Sequence, residues 1–310
     1  MNRYAGQVPF YKMHGCGNDF VFIDNRIARV PEEDMAHWAR AVCRPHTGVG
    51  ADGLVFLELV SAAWKARHGG ADSGSESLKR AGRPDAEPDY VWHFYNADGS
   101  RAGMCGNASR CAALLSLRLG LAGPEHVLGT DVGLVRASVN QQDSTAEVEL
   151  PPVRDARPAV SLDVEGRSFD VLHADTGVPH AVIFLHSEAE VEAVDVQRAG
   201  AAIRFHPRFA PAGVNVNFAA LAAPSVLRLR TYERGVEGET LACGTGAAAT
   251  AYCAFRQGLT GPDARLVTSG GEILGIRIRD AEDGDRPLLS GRAITVFTGE
   301  LHLAAVLEAR

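Results

Sequence analysis

This 310-residue chain says the same thing twice, and that duplication limits its folding more than any other feature. Cys105-Gly106-Asn107 and Cys243-Gly244-Thr245 each open an apolar, alanine-rich stretch. Aligned without gaps from the cysteine, the two stretches share Cys-Gly and then Ala113/Ala251, Arg118/Arg256, Gly120/Gly258 and Leu121/Leu259. Each reads as a helix that begins just after Cys-Gly and stops at a glycine, the residue that most easily turns a chain out of a helix. Two similar halves are therefore expected.

The segments ahead of the cysteines match as well. Phe10-Tyr11-Lys12-Met13, the turn Gly15-Cys16-Gly17-Asn18-Asp19 and the run Phe20-Val21-Phe22-Ile23-Asp24 read as strand, tight turn, strand. Val171 to Ala174, Asp175-Thr176-Gly177-Val178-Pro179-His180 and Ala181 to Leu185 repeat that order. The first half is longer, and much of the excess falls at 62–89, where Gly, Ser, Pro and alternating charges predict a mobile surface insertion with no catalytic role. Pro151-Pro152 follows a strand-like run and marks the junction. The predicted halves are 1–151 together with 297–310, carrying Cys105, and 152–296, carrying Cys243. Strands outnumber helices, with one or two central helices in each half.

Composition narrows the function classes. A net charge of −7 and the lack of any Lys/Arg run argue against a nucleic-acid partner. No run reaches the ~18 apolar residues of a membrane helix, and the N-terminus lacks the apolar core of a secretory signal, so a cytoplasmic protein is expected. Six cysteines are too few for a disulfide scaffold, and no C-x₂-C pair offers a zinc site. Neither metal nor cofactor is expected.

A helix N-terminus carries unpaired N–H groups and about half a positive charge. It favours two kinds of anion. One is a thiolate, since a cysteine placed there has its pKa lowered toward the neutral range and becomes a usable base or nucleophile. The other is a substrate carboxylate, which the small Gly106 and Gly244 leave room to approach. If two such ends close on one amino acid, one sulfur removes the proton from Cα and the other returns one to the opposite face. That is stereoinversion by two bases. Arg234 offers a rigid fork for a second carboxylate, with Glu233 beside it to tune a thiol. Asn96 occupies the matching place in the first half. Asn215 and Asn217 alternate along a strand and so share a face. Each of these has a plainer reading too: Asn18 and Asn96 are good turn residues, Glu233-Arg234 makes a surface pair, and Ala51-Asp52-Gly53 is a structural turn.

The chain resembles the diaminopimelate epimerase family. The resemblance rests on MHGCGNDFVFID, HTGVGADGL, YNADGSRAGMCGNASRC, VNVNF, ERGVEGETLACGTGAAA and a weaker LSGRAITVFTGEL, from residue 13 to about 301. It implies cofactor-independent interconversion of LL- and meso-2,6-diaminopimelate, a step toward lysine and peptidoglycan precursors, with Cys105 and Cys243 as the acid/base pair. It further implies α-carboxylate contacts from Gly106, Asn107, Gly244 and Thr245, a distal substrate end held by Asn18, Asn96, Asn215 and Arg234, and His180 and Glu233 beside the thiols. The implied fold is α/β (α+β): two pseudo-symmetric halves, each a curled, mostly antiparallel sheet around a central helix, with the active site in the cleft and a homodimer as the usual assembly. The sequence departs from the family in two places. Val178 stands where the family has Asn, and 233–240 carries one extra residue. The first departure keeps a rival open, a racemase of another amino acid using the same cysteine pair. A one-thiol hydrolase built on Cys105 and His180, and a non-catalytic amino-acid-binding protein, are the readings from other classes.

Overall fold

The computed structural model describes residues 6–68, 87–164, 166–282 and 284–304. The chain divides into two units, Met1–Val148 with Arg292–Arg310, and Glu149–Gly291.

In the first unit the strands are β1 (Gln7–Gly15), β2 (Asn18–Asp24), β3 (Gly53–Glu58), β4 (Tyr90–Asn96), β5 (Glu125–Thr130), β6 (Gly133–Asn140), β7 (Thr145–Glu149) and, from the far end of the chain, β17 (Ile294–His302). They pair in the order β17, β1, β2, β3, β4, β5, β6, β7. β2/β3 and β4/β5 are parallel, and the other neighbours are antiparallel.

The second unit repeats that pattern strand for strand. It contains β8 (Arg154–Val164), β9 (Arg167–Asp175), β10 (Pro179–Phe184), β11 (Asn215–Ala223), β12 (Val226–Glu233), β14 (Asp263–Val267), β15 (Ile273–Arg279) and β16 (Arg286–Arg292), paired in sequence order. Its parallel pairs, β10/β11 and β12/β14, fall at the corresponding positions. The short β13 (Gly238–Thr240) folds back on β12. The duplication seen in the sequence is thus a duplication of topology, each unit a mostly antiparallel sheet.

Each sheet curls around one helix. Gly106–Arg118 packs against β1, β2 and β6, and Gly244–Arg256 against β9, β10, β11, β14 and β15. A helix covered on all sides needs more than an apolar stripe, and here nearly every residue of the first three turns is buried. Alanines let the strands come close: Ala247, Ala248, Ala249, Ala251 and Ala254 are all buried. Beyond each helix the chain leaves through a glycine at positive φ, Gly120 at 65° and Gly258 at 72°. Filling this space is expected to destabilise. Ala248→Leu should cost about 1–3 kcal/mol of unfolding free energy by overpacking, measurable as a lower urea midpoint; an unchanged midpoint would mean that the sheet does not close on this helix.

A second layer covers the outer face. In the first unit, Met35, Trp38 and Val42 of the Glu32–Val42 helix pack on Val21, Ile23, Leu54 and Phe56, while Phe20 and Phe22 alternate to the opposite face of β2. In the second unit, Val196 and Ile203 of the Val196–Arg204 helix cover Ile183, Val216 and Phe218. Among the described residues no helix is long and apolar enough to cross a membrane.

The expectation of a mobile insertion over 62–89 needs correction at both ends. Ala62–His68 is a helix, and Trp64 is buried, with its ring against the position where a Cβ on Gly129 would stand. Arg67 forms a two-pronged pair with Glu32, at 2.6 and 2.8 Å, and the Asp89 carboxylate accepts from the Val127 N–H at 2.7 Å. A single large apolar side chain overrode the polar composition around it. Residues 69–86 lie outside the described residues.

Candidate active site

Both cysteines are helix N-caps with extended backbones, Cys105 at φ −146° and Cys243 at φ −115°. The helices begin at the glycine itself, one residue earlier than the sequence predicts. The first intrahelical bonds run from Ser109 N–H to the Cys105 carbonyl at 2.8 Å and from Ala247 N–H to the Cys243 carbonyl at 2.9 Å. The amides of Gly106 and Asn107, and of Gly244 and Thr245, therefore precede the ladder and are oriented out of the helix end, where an anion would be bound.

In the first unit the thiol of Cys105 donates to Asn18 Oδ1 at 3.7 Å. Asn107 Nδ2 donates to the same oxygen at 3.4 Å. The Asn18 amide is held from behind by its Nδ2, which donates to Asp52 Oδ2. That carboxylate also accepts from the Asp19 N–H, and the Asp52 N–H bonds Asp19 Oδ1, each at 3.1 Å. Lys12 pairs with Asp19. Under the helix start lies Arg110, fully buried, donating to Asn107 Oδ1 at 2.9 Å and to the Cys16 sulfur at 3.5 Å. Asn96 ends β4 opposite Gly53, next to Asp52, but is exposed and bonds Ser100 Oγ at 3.0 Å. Asn18, Cys105 and Asn107 are thus bonded together, whereas Asn96 sits in its own turn.

In the second unit the Cys243 sulfur accepts from the Gly246 N–H at 3.4 Å and lies 3.5 Å from Thr245 Oγ1. Thr245 Oγ1 is 3.0 Å from His180 Nε2, and the Thr245 carbonyl accepts from Thr176 Oγ1 at 2.9 Å, pinning the β9–β10 turn to the helix start. His180 Nδ1 meets Asn217 Nδ2 at 3.1 Å. Gly246 has to be glycine: a Cβ there would stand 2.4 Å from Asn217 Oδ1 and 3.3 Å from the Cys243 sulfur. Asn215 uses both ends of its amide, accepting from the Arg234 N–H at 2.8 Å and donating to the Pro179 carbonyl at 3.4 Å. Glu233 is the last residue of β12, with Arg234 next in the turn to β13. Glu237 takes a φ of 55°, and its carboxylate accepts from Arg204, from the Tyr232 hydroxyl and from the Gly235 N–H. Val178 is half-buried, and its carbonyl accepts from the Thr176 N–H at 3.2 Å.

Burial, reinforced by the charges of His173 and Arg234, pushes the His180 ring down to about 3, so it is neutral at physiological pH. The unfolded chain, by contrast, takes up a proton here below about pH 6.5. Since the folded-state value is the lower, stability is fully present above pH 6.5 and is lost as pH falls toward 3. From this group alone, moving from pH 6.5 to pH 5 should remove about 2 kcal/mol. Urea unfolding of the protein and of His180→Gln at both pH values measures it, with a shallower pH slope expected for the variant.

Several of these partners are not evident from the sequence. Asp52, read as part of a structural turn, fixes Asn18. The contacts of Thr176 with Thr245 and of the buried Arg110 with Cys16 carry no sequence signal, because they join residues far apart in the chain. Among the described residues no three of His, Cys, Asp and Glu gather as a metal site would require.

The fold places the chain in a known class. A hydroxyproline epimerase from Agrobacterium vitis matches it with a TM-score of 0.63 at 17% identity, covering 95% of this chain and 92% of that one. A PhzF-family phenazine biosynthesis protein from Bacillus anthracis matches with a TM-score of 0.68 at 13% identity, covering 96% and 99%. At such identities the likeness defines the fold alone. Sequence similarity then resolves the family. The diaminopimelate epimerase family model matches residues 10–154 and 172–296. Proteins named diaminopimelate epimerase from Hydrogenobaculum sp. (strain Y04AAS1) and Aquifex aeolicus (strain VF5) are each 38% identical to this chain. They cover 94% and 95% of it, and 97% and 98% of their own lengths are matched. The chain belongs to the diaminopimelate epimerase family.

Proposed function

We propose that this chain is a cofactor-independent epimerase that interconverts LL- and meso-2,6-diaminopimelate, with Cys105 and Cys243 as its two acid/base groups. The observation that carries the reading is the pair of cysteine N-caps, each at the start of a buried helix in a duplicated topology, in a chain of this family. One sulfur acts as thiolate and takes the proton from Cα, becoming a thiol. The electron pair left on Cα spreads into the α-carboxylate, which the amides of Gly106, Asn107, Gly244 and Thr245 stabilise as charge builds on its oxygens. The other thiol delivers its proton to the opposite face and becomes the thiolate, so the centre is inverted and no atom is gained or lost. Asn18, Asn96, Asn215 and Arg234 hold the distal end, and His180 and Glu233 tune the thiols. The chain works in the cytoplasm as a homodimer, which light scattering on the purified protein would register at twice the chain mass.

Incubating reduced protein with LL-diaminopimelate in deuterated water tests the activity directly. Expected are meso product by chiral chromatography and deuterium at one α-carbon; no exchange would overturn the reading. Val178 favours one second reading, a racemase of another amino acid, because a side-chain amide that the family places there is replaced by an alkyl group. Faster turnover of a single-centre amino acid than of diaminopimelate would establish that alternative.

A further inference from the structure

The two thiols meet their neighbours with opposite hydrogen-bond polarity, and in the second unit that polarity is fixed by a chain of side chains. Asn217 cannot flip. Its Nδ2 donates to the Ala181 carbonyl at 3.0 Å, a group that only accepts, and its Oδ1 accepts from the Thr231 hydroxyl at 2.9 Å. The second Nδ2 hydrogen therefore points at His180 Nδ1, which must accept. A neutral imidazole that accepts at Nδ1 carries its proton on Nε2. That proton is donated to Thr245 Oγ1, and the Thr245 hydroxyl hydrogen is left to turn toward the Cys243 sulfur. The Gly246 N–H points to the same sulfur. Cys105, by contrast, donates its own proton to Asn18 Oδ1, an oxygen held in place because Asn18 Nδ2 is bound to Asp52. Thr231, Asn217 and His180 are all buried. The order is thus set away from solvent.

We propose that Thr231, Asn217 and His180 are positioning residues that fix the Thr245 hydroxyl as a hydrogen-bond donor to Cys243, so that the ligand-free protein holds Cys243 as the thiolate and Cys105 as the thiol. This deepens the epimerase reading, on which its catalytic meaning rests, by naming the resting base. The ionisable groups around the chain are His173 on β9, hydrogen-bonded to the Asp155 carbonyl, Glu233 at the end of β12, Arg234 beyond it, and Cys253 further along the helix. His173 and Arg234 both disfavour a second proton on His180, which protects the tautomer. Burial pushes the Cys253 thiol up to about 12 and keeps it out of the titration.

Two measurements on the free protein test the proposal. Nitrogen-15 NMR of His180 should place its proton on Nε2 and show no titration between about pH 5 and pH 8. Iodoacetamide alkylation, followed by peptide mass mapping across pH, should give Cys243 the lower midpoint of the two cysteines. Thr245→Val should raise that midpoint by about one pH unit or more, the loss of one hydrogen bond to a charged group, and Thr245→Ser should restore it. Asn217→Asp should move the His180 proton to Nδ1 and raise the midpoint likewise; if that variant does not fold, the threonine pair and the wild-type spectrum decide. A proton on Nδ1 in the wild type, a lower midpoint for Cys105, or a midpoint unmoved by Thr245→Val would each overturn the proposal. Neither measurement needs substrate. A protein that passes both and still exchanges no α-hydrogen would therefore sink the epimerase reading and leave this one standing.

Discussion

Replacing either Cys105 or Cys243 by alanine is expected to lower the rate of LL/meso interconversion by about 10³-fold or more, within the range that one general acid or base contributes. In the proposed two-base mechanism each sulfur would serve one face of Cα and every inversion would use both faces, so the effect should be of similar size for the two variants. Neither change should unfold the protein. Both positions are N-caps with extended backbones that alanine adopts, and losing a cap typically costs about 1 kcal/mol. Cys243→Ala carries the larger structural cost of the two, since its sulfur accepts the Gly246 N–H. Chiral chromatography of the product, with urea midpoints measured alongside, separates chemistry from folding. Either variant retaining activity within tenfold of the parent would exclude a two-thiol mechanism. Full activity in Cys243→Ala alone would instead point to one-thiol chemistry at Cys105.

The features legible in the sequence were those with a local physical cause. Cys-Gly followed by small apolar residues marks a helix start, and a glycine turn between β-branched and aromatic runs marks a hairpin; in each unit the hairpin stands where the residues predict it, and the helix begins one residue earlier than predicted. The helix at Ala62–His68 leaves no such trace, because the packing of Trp64 against Gly129 joins segments that are distant in the chain. The site divides along the same line. Asn18 and Asn107 carry motif signals and are found bonded together. Their support does not announce itself: Asp52 is a turn residue until β2 and β3 pair, and Arg110 is an ordinary helix arginine until the sheet curls over it. Asn217 was read as sharing a face with Asn215, as it does, yet alternation alone could not show that its amide is committed to Thr231, Ala181 and His180.

Arg234→Met is expected to lower kcat/KM for diaminopimelate by about 100-fold, as two charge-assisted hydrogen bonds of about 1.5–3 kcal/mol each are lost and only part of that is recovered from water. The arginines around it explain why it is available for a ligand. Arg204 pairs with Glu237 at 3.2 Å, Arg228 with Glu192 at 2.5 Å, and Arg230 holds Glu239 with both prongs at 2.8 and 2.6 Å. Among the described residues no carboxylate pairs with Arg234, whose guanidinium reaches only the Ala212 carbonyl, at 3.4 Å. Its base is fixed nonetheless: its N–H is held by Asn215, and the turn that follows is locked by the Glu237 N–H on the Glu233 carbonyl at 2.8 Å. A fixed base and an uncommitted fork suit a distal carboxylate better than a surface ion pair would. Lysine keeps the charge but not the fork, so Arg234→Lys should recover only part of the loss. The decisive comparison uses an analogue of diaminopimelate that lacks the distal carboxylate. The parent protein should exchange its α-hydrogen slowly, and Arg234→Met should exchange it at the same rate; a further loss in the variant would place Arg234 at the reacting end of the substrate instead.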